Sequence, residues 1–392
     1  MTLIEPSGER HRYAVLDSYR FIAALGIVAY HFESHFSIFL PHPSHKLENL
    51  QTLVDFFFVL SGFVLMHTYG ERIDGVARYG DFLRKRFARV YPLQFATLML
   101  CVLLYAVVTS LRIPVRDPSI IDMHLLLPNL LLVQAWGLTD HPGLNSPSWS
   151  ISAEAFVYLL FPLFVIVARR LRPALTLGLA VLIVVAVETA RRANGLPSGS
   201  LATFDFGMIR AVPMFLAGIA VYRIVVTRPL RPMSWLIPHA LFGVIVVMML
   251  LKAPAYAIDG LYPLLVALIA LAERGGRRTW LASPLVTQLG NASFAIYMIH
   301  TFIQIACVGL VRHMGWTSVP ALIAVSFAGG AVIVLCGVAS YHGFETPMRR
   351  WLSGSSRPRG LALCPGGPER LGAARLPAPN RRATKMDSEA GT

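Results

Sequence analysis

Ten apolar runs recur along the chain, near residues 15–37, 52–69, 87–109, 150–168, 174–190, 207–226, 234–251, 255–272, 285–311 and 319–341. A helix that crosses the hydrocarbon core of a bilayer needs about 20 predominantly apolar residues. Every backbone N–H and C=O inside lipid must be satisfied within its own segment, so runs of this kind fold as helices. Composition agrees: 55% of the 392 residues are hydrophobic and 14% are charged, against about 25% charged in a soluble domain. The pattern predicts an all-α fold, a polytopic membrane bundle of about ten transmembrane helices.

The formal net charge is +14, a balance that in a soluble protein would suggest nucleic acid. Its distribution argues against that partner, because the basic residues cluster in short loops between apolar runs. Suppose the N-terminus is cytoplasmic and ten runs cross. The loops with Arg84, Lys85, Arg86 and Arg89, with Arg169, Arg170 and Arg172, with Arg223, Arg228 and Arg231, and with Arg274, Arg277 and Arg278 then all face inward, as do Arg349 and Arg350. That is the positive-inside pattern, and it puts both termini in the cytoplasm. Arg191 and Arg192 depart from it, falling outside. A weaker apolar piece, 120–136, carries Asp122, His124 and Pro128. If it crossed, the later basic loops would flip outward, so it is expected to be re-entrant or interfacial.

The ends differ from the middle. Residues 1–12 are polar, and the run that follows has no clear small-residue cleavage site, so it reads as a retained first span. Residues 353–392 are rich in Pro, Gly, Ser and Arg and have no apolar period. They read as a disordered basic tail able to touch anionic lipid. The four cysteines, Cys101, Cys307, Cys336 and Cys364, form no CxxC, and neither a disulfide nor a metal site is expected. No feature specifies an oligomeric state.

Ionisable residues inside apolar runs are costly and usually functional. The first run holds two, Arg20 and His31. Eleven residues make about three turns plus 20°, so both lie on one helix face, about 16 Å apart along the axis. The alternative is an arginine that snorkels and a histidine satisfied in the core. At the start of the second run stands Asp55, with Ser61 and Gly62 nearly two turns further on; the small pair permits close helix packing. Before the third run, Arg86 and Arg89 share a face. With Arg84 and Lys85 they form a cationic entrance suited to a phosphate-bearing ligand, or an ordinary membrane anchor. Ser150 or Ser152 is placed to cap the fourth run. Glu154 then falls in its first turn, where a carboxylate orients a histidine, binds an acceptor hydroxyl, or answers the helix dipole. His300 lies three residues from Tyr297, which suggests a shared polar seam. Glu345, close to Arg349 and Arg350, reads as structural.

Taken together, these stretches resemble the acyltransferase-3 family of bacterial integral-membrane O-acyltransferases. The matching pieces are Arg20 and His31 at their ten-residue separation, VDFFFVLSGF at 54–63, RKRFARVYPL at 84–93, SWSISAEAFVYLLFP at 148–162, SFAIYMIH at 293–300 and ETP at 345–347. They run in family order over most of the chain. The resemblance implies a membrane-embedded acyltransferase domain over 1–352 in a bacterial inner membrane. It implies acetyl-CoA or another acyl-CoA as donor substrate and a carbohydrate hydroxyl as acceptor. On this reading His31 is the general base, Glu154 or Asp55 holds its tautomer, and Arg20, Arg86, Arg89 and Lys85 engage the donor's phosphates. Ser61, Tyr297 and His300 complete the polar lining. Two alternatives stand beside it: a glycan or glycolipid transporter, and an acyltransferase acting on a protein or small antibiotic-like acceptor.

Overall fold

A computed structural model describes residues 13–42, 45–73, 75–112, 118–229, 231–276 and 279–354. Arg277, Arg278 and all of the expected tail except Ser353 and Gly354 lie outside the described residues. Fourteen α-helices are present among them: α1 (Ala14–Phe36), α2 (Leu53–Tyr69), α3 (Val76–Ser110), α4 (Leu126–Leu130), α5 (Trp149–Leu159), α6 (Phe161–Arg170), α7 (Pro173–Ala193), α8 (Gly207–Thr227), α9 (Leu236–Leu250), α10 (Ala255–Asp259), α11 (Tyr262–Arg274), α12 (Pro284–Met314), α13 (Val319–Ser340) and α14 (Thr346–Ser353). Eight helical segments are each long and apolar enough to cross a membrane; α5 and α6, bent by 56°, make a ninth as a pair. The remaining expected run, 234–251, forms α9, 15 residues and so about 22 Å long, shorter than the hydrocarbon core.

The bend between α5 and α6 follows from sequence. Pro162 has no N–H to continue the ladder. Outside the break, the Tyr79 hydroxyl donates to the carbonyl of Leu159 at 2.8 Å. The tightest helix crossing is also legible in part. At Gly62 of α2 an added Cβ would lie 2.0 Å from the Phe215 carbonyl oxygen, and at Gly218 of α8 one would lie 2.0 Å from that of Val59. Two backbones meet there because neither carries a side chain at the crossing. The core around this pair buries Tyr19, Phe56, Phe63, Phe82, Phe161, Phe215 and Tyr262 completely.

The 120–136 segment makes no helix able to span. It forms short 3₁₀ turns and the five-residue α4, tied to the start of α5. Ser152 Oγ donates to the Leu132 carbonyl (2.7 Å) and accepts from Ala135 N–H (3.1 Å). Gln134 donates to the Ser148 carbonyl, and Ser148 to Asn129, each at 3.2 Å. Irregular backbone at this depth survives because protein groups satisfy it. This corrects the capping expectation: α5 has no side-chain cap, and Ser150 and Ser152 bond to other elements instead.

Several loop-end groups gather at one end of the bundle. Arg169 donates to the Gly70 carbonyl (2.9 Å) and Arg223 to that of Leu171 (2.7 Å). Arg274 donates to the Val225 carbonyl, and Glu273 accepts from the backbone N–H of Ala14 (2.6 Å). The pair that departs from the loop-charge pattern is engaged. Arg191 bonds Asp205 at 2.5 Å, and Arg192 sits 5.6 Å from the Tyr256 ring centroid.

Candidate active site

One cavity of about 150 Å³ collects residues from five helices. Arg20 enters from α1, Ser61 from α2, Arg86 and Arg89 from α3, Ser150, Glu154 and Tyr158 from α5, and Ser293 and Tyr297 from α12. Three guanidinium groups thus face one space, with Asp17 and Glu154 as the carboxylates of its wall. The arginines are loosely held. Arg20 stands 3.7 Å from Asp17, and Arg89 stands 3.4 Å from the buried Glu345. Arg86 lies 5.3 Å from the Tyr69 ring centroid, and its buried Nε has no hydrogen-bond partner. Glu345 reaches Arg89 because Tyr341–Glu345 form a π-helical turn between α13 and α14, a local widening common at functional positions.

Beside the arginines runs a hydroxyl and carboxylate network. Glu154 Oε1 accepts from Ser61 Oγ at 2.9 Å and from the Tyr158 hydroxyl at 2.5 Å. Ser150 Oγ donates to the Tyr297 hydroxyl (3.0 Å), which itself donates to the Pro147 carbonyl (2.9 Å). The buried Ser293 hydroxyl, also in the wall, has no partner. These groups offer donors and an acceptor to a polar ligand arm, while Phe57, Phe58 and Val54 supply apolar wall.

The histidines stand behind Tyr297. The Tyr297 ring lies 5.7 Å from His300, and His300 lies 4.9 Å from His31. His35 continues the row at 6.1 Å from His31. His300 is completely buried, whereas His31 and His35 are partly exposed. His31 is not in the cavity wall; Tyr297 is the surface that both regions share. Among the described residues no group of three or more His, Cys, Asp or Glu side chains is arranged to hold a metal.

Two expected site residues are elsewhere. Asp55 does not approach His31. It is fully buried and is gripped by Arg210, whose Nε–H is shared between both carboxylate oxygens at 2.9 Å and whose Nη2 donates at 2.6 Å. A carboxylate with no exposure must be paired, and the pairing consumes it. Lys85 turns to Asp81, 2.5 Å away and one helical turn back, on the exposed side of α3, and is not in the cavity wall. Glu154 is in the wall, but its bonds go to Ser61 and Tyr158, so neither proposed carboxylate holds His31. Sequence reading missed Arg210, Tyr158 and the contact of Glu345 with Arg89. A signal existed for Arg210: a carboxylate inside an apolar run demands a cation, and Arg210 is the cation early in the 207–226 run.

Comparison with known proteins bears on this arrangement. Residues 13–341 match a family model described as an acyltransferase domain, Acyl_transf_3. The chain is 30% identical to the acyltransferase MdmB of Streptomyces mycarofaciens over 397 aligned positions, covering 91% of this chain and 97% of that one. It is 34% identical to protein 2 in the picA locus of Rhizobium radiobacter over 161 positions, 38% of this chain and 81% of that one. No solved structure matches. The match reaches from the helix of Arg20 and His31 to the turn that carries Glu345, so it contains the cavity and the histidine row together. An acyl-transferring enzyme therefore displaces the transporter reading, and the chain belongs to the acyltransferase-3 family as a multi-pass membrane enzyme that transfers acyl groups.

Proposed function

We propose that the enzyme moves an acyl group, acetyl in the simplest case, from cytoplasmic acyl-CoA to a hydroxyl of a cell-surface or exported carbohydrate, in a bacterial inner membrane with both termini cytoplasmic. One observation carries this reading. A cavity with three loosely paired arginines ends at Tyr297, and behind Tyr297 stands a row of histidines. Arginine suits phosphate, because its fork makes charge-assisted, bidentate contacts. Arg20, Arg86 and Arg89 take the phosphates of the donor. Ser61, Glu154, Tyr158 and Ser293 line the path of the pantetheine arm, whose amides need both donors and acceptors.

The thioester then arrives at Tyr297. His31, approached from the other side, takes the proton of the acceptor hydroxyl as that oxygen attacks the thioester carbonyl. Contact between the two halves requires the Tyr297 and Phe57 wall to shift. A donor cavity and a histidine row that meet at one wall suit a membrane enzyme whose two substrates come from opposite faces.

Mass spectrometry of surface glycans, from cells with and without the intact protein, tests the reaction. An added acyl mass that depends on the protein is expected. Glycans of unchanged mass but altered amount or location would sink it. Cysteine-accessibility labelling tests the orientation: positions near 80, 171, 229 and 276 are expected to react from the cytoplasmic side, and those near 140 and 255 from outside. Labelling of position 171 from outside would reverse it.

A further inference from the structure

We propose that His300 is the positioning residue for His31, in the role a carboxylate plays in many catalytic triads. The inference rests on the proposed acyl-CoA reaction and assigns its proton chemistry. It begins with a tautomer. His300 Nδ1 is hydrogen-bonded to the backbone carbonyl of Tyr297, one turn earlier on α12. A carbonyl oxygen only accepts, so Nδ1 carries the proton. Neutral His300 therefore has a bare Nε2, an acceptor. That Nε2 is buried and has no hydrogen-bond partner, in a side chain with no exposure.

An unmet buried acceptor is costly, so its presence asks for a use. The ring facing it is His31, at 4.9 Å between centroids with the planes tilted by 45°. A His31 N–H turned to His300 Nε2 satisfies the orphan and leaves the other His31 nitrogen bare for the acceptor hydroxyl. Of the competing partners, the two carboxylates are engaged and His35 is badly oriented, which leaves Gln304 Oε1, one turn past His300, as the other buried acceptor without a partner. Asp55 belongs to Arg210, and Glu154 belongs to Ser61 and Tyr158. His35 lies farther away, at 6.1 Å, with its plane within 28° of that of His31, so faces rather than N–H edges meet.

The step balances. The acceptor oxygen forms a bond to the thioester carbonyl carbon as its proton passes to the bare nitrogen of His31. The tetrahedral intermediate collapses, the C–S bond breaks, and the His31 imidazolium returns that proton to the departing thiolate. His300 keeps its hydrogen bond from His31 throughout, orients the ring, and stabilises the imidazolium. Nothing is oxidised or reduced, and both histidines end neutral.

The test uses membrane vesicles from the producing cell, open to the cytoplasmic face, which carry the full-length protein with its own acceptor. Labelled acetyl-CoA is the donor, and rates are normalised to protein level. His300→Phe keeps a ring of similar bulk and removes the acceptor. We expect a rate loss on the order of 10²-fold, with the donor KM within about twofold of native. His300→Gln places an amide oxygen near the Nε2 position, and His300→Asn places one near Nδ1. Glutamine is expected to recover at least about tenfold over asparagine, a rescue that packing alone would not produce. Native turnover in His300→Phe overturns the proposal. If that variant fails to reach the membrane, equal rates for the glutamine and asparagine variants overturn it instead. Absence of labelled product from native vesicles would sink the acetyl-CoA reading and this inference with it, whereas native activity with an unimpaired His300→Phe sinks this inference alone.

Discussion

Arginine is held in two ways in this protein, buried at Arg210 and partly exposed at Arg20, Arg86 and Arg89, and the contrast separates scaffold from site. Every nitrogen of the Arg210 guanidinium is bonded: Nε and Nη2 donate to Asp55, Nη2 and Nη1 reach the Gln51 and Ala202 carbonyls at 3.1 and 3.3 Å, and the Trp149 ring centroid is 5.0 Å away. Arg20, Arg86 and Arg89 share a cavity and are held by contacts of 3.7, 5.3 and 3.4 Å to a carboxylate, an aromatic ring and a carboxylate respectively. A charge with all its partners supplied by the chain has nothing left to offer a ligand. A charge held loosely beside a cavity has bonds to give, and it is there that binding is expected. Asp55 and Arg20 look alike in sequence, each an ionisable residue in an apolar run, yet they fall on opposite sides of this divide.

The largest effect is expected where pairing is complete. Arg210→Leu strands Asp55 without a counter-charge, at a cost of about 3–5 kcal/mol, enough to deplete folded protein in the membrane. The double change Asp55→Leu with Arg210→Leu removes both charges of the pair and should restore part of the protein level, with Asp259, buried beside them, still in place. Detergent-solubilised yield and thermal unfolding read both. If Arg210→Leu folds normally and loses only donor binding, the division between scaffold and site is misplaced.

Next comes His31, the proposed base. His31→Ala should leave insertion and donor binding intact, since alanine is the best helix former and the run keeps its apolar length. Acyl transfer should fall by about 10²–10⁴-fold. His35→Ala is the paired control and should be milder, because His35 lies at the far end of the row from His300. Near-native transfer by His31→Ala would remove the general-base role from the first helix.

A smaller effect belongs to the loosely held arginines. Arg86→Ala should weaken acetyl-CoA binding by roughly 1.5–3 kcal/mol with little change in unfolding temperature. Arg89→Ala should weaken it comparably and also destabilise the fold, because it abandons the buried Glu345. Titration calorimetry beside thermal unfolding separates the two. Unchanged affinity in both would make these residues membrane anchors. Smallest of all is Lys85→Ala, whose partner Asp81 is an exposed neighbour. Affinity and stability should both stay within about 0.5 kcal/mol of native.

Sequence by itself determined the helices, because the length and apolarity that lipid demands are local properties. It also argued that 120–136 would not span, since a crossing there would turn the later basic loops outward. Arg20 and His31 emerged from helix geometry alone, and Gly62 from the absence of a side chain. What the tertiary structure decided is which charge meets which. Asp55 and Arg210 are 155 residues apart, and His31 meets His300 across two helices that no local pattern relates. A carboxylate in an apolar run announces that it needs a partner, but several cations stand in other runs, and only the crossing of α2 with α8 at Gly62 and Gly218 selects Arg210. Serine residues at 150 and 152 likewise suit a helix cap by position, and packing of the 120–136 segment redirected them. Secondary structure here follows from the solvent, which acts on each run separately; the site follows from packing, which acts between runs and leaves no periodic mark in any one of them.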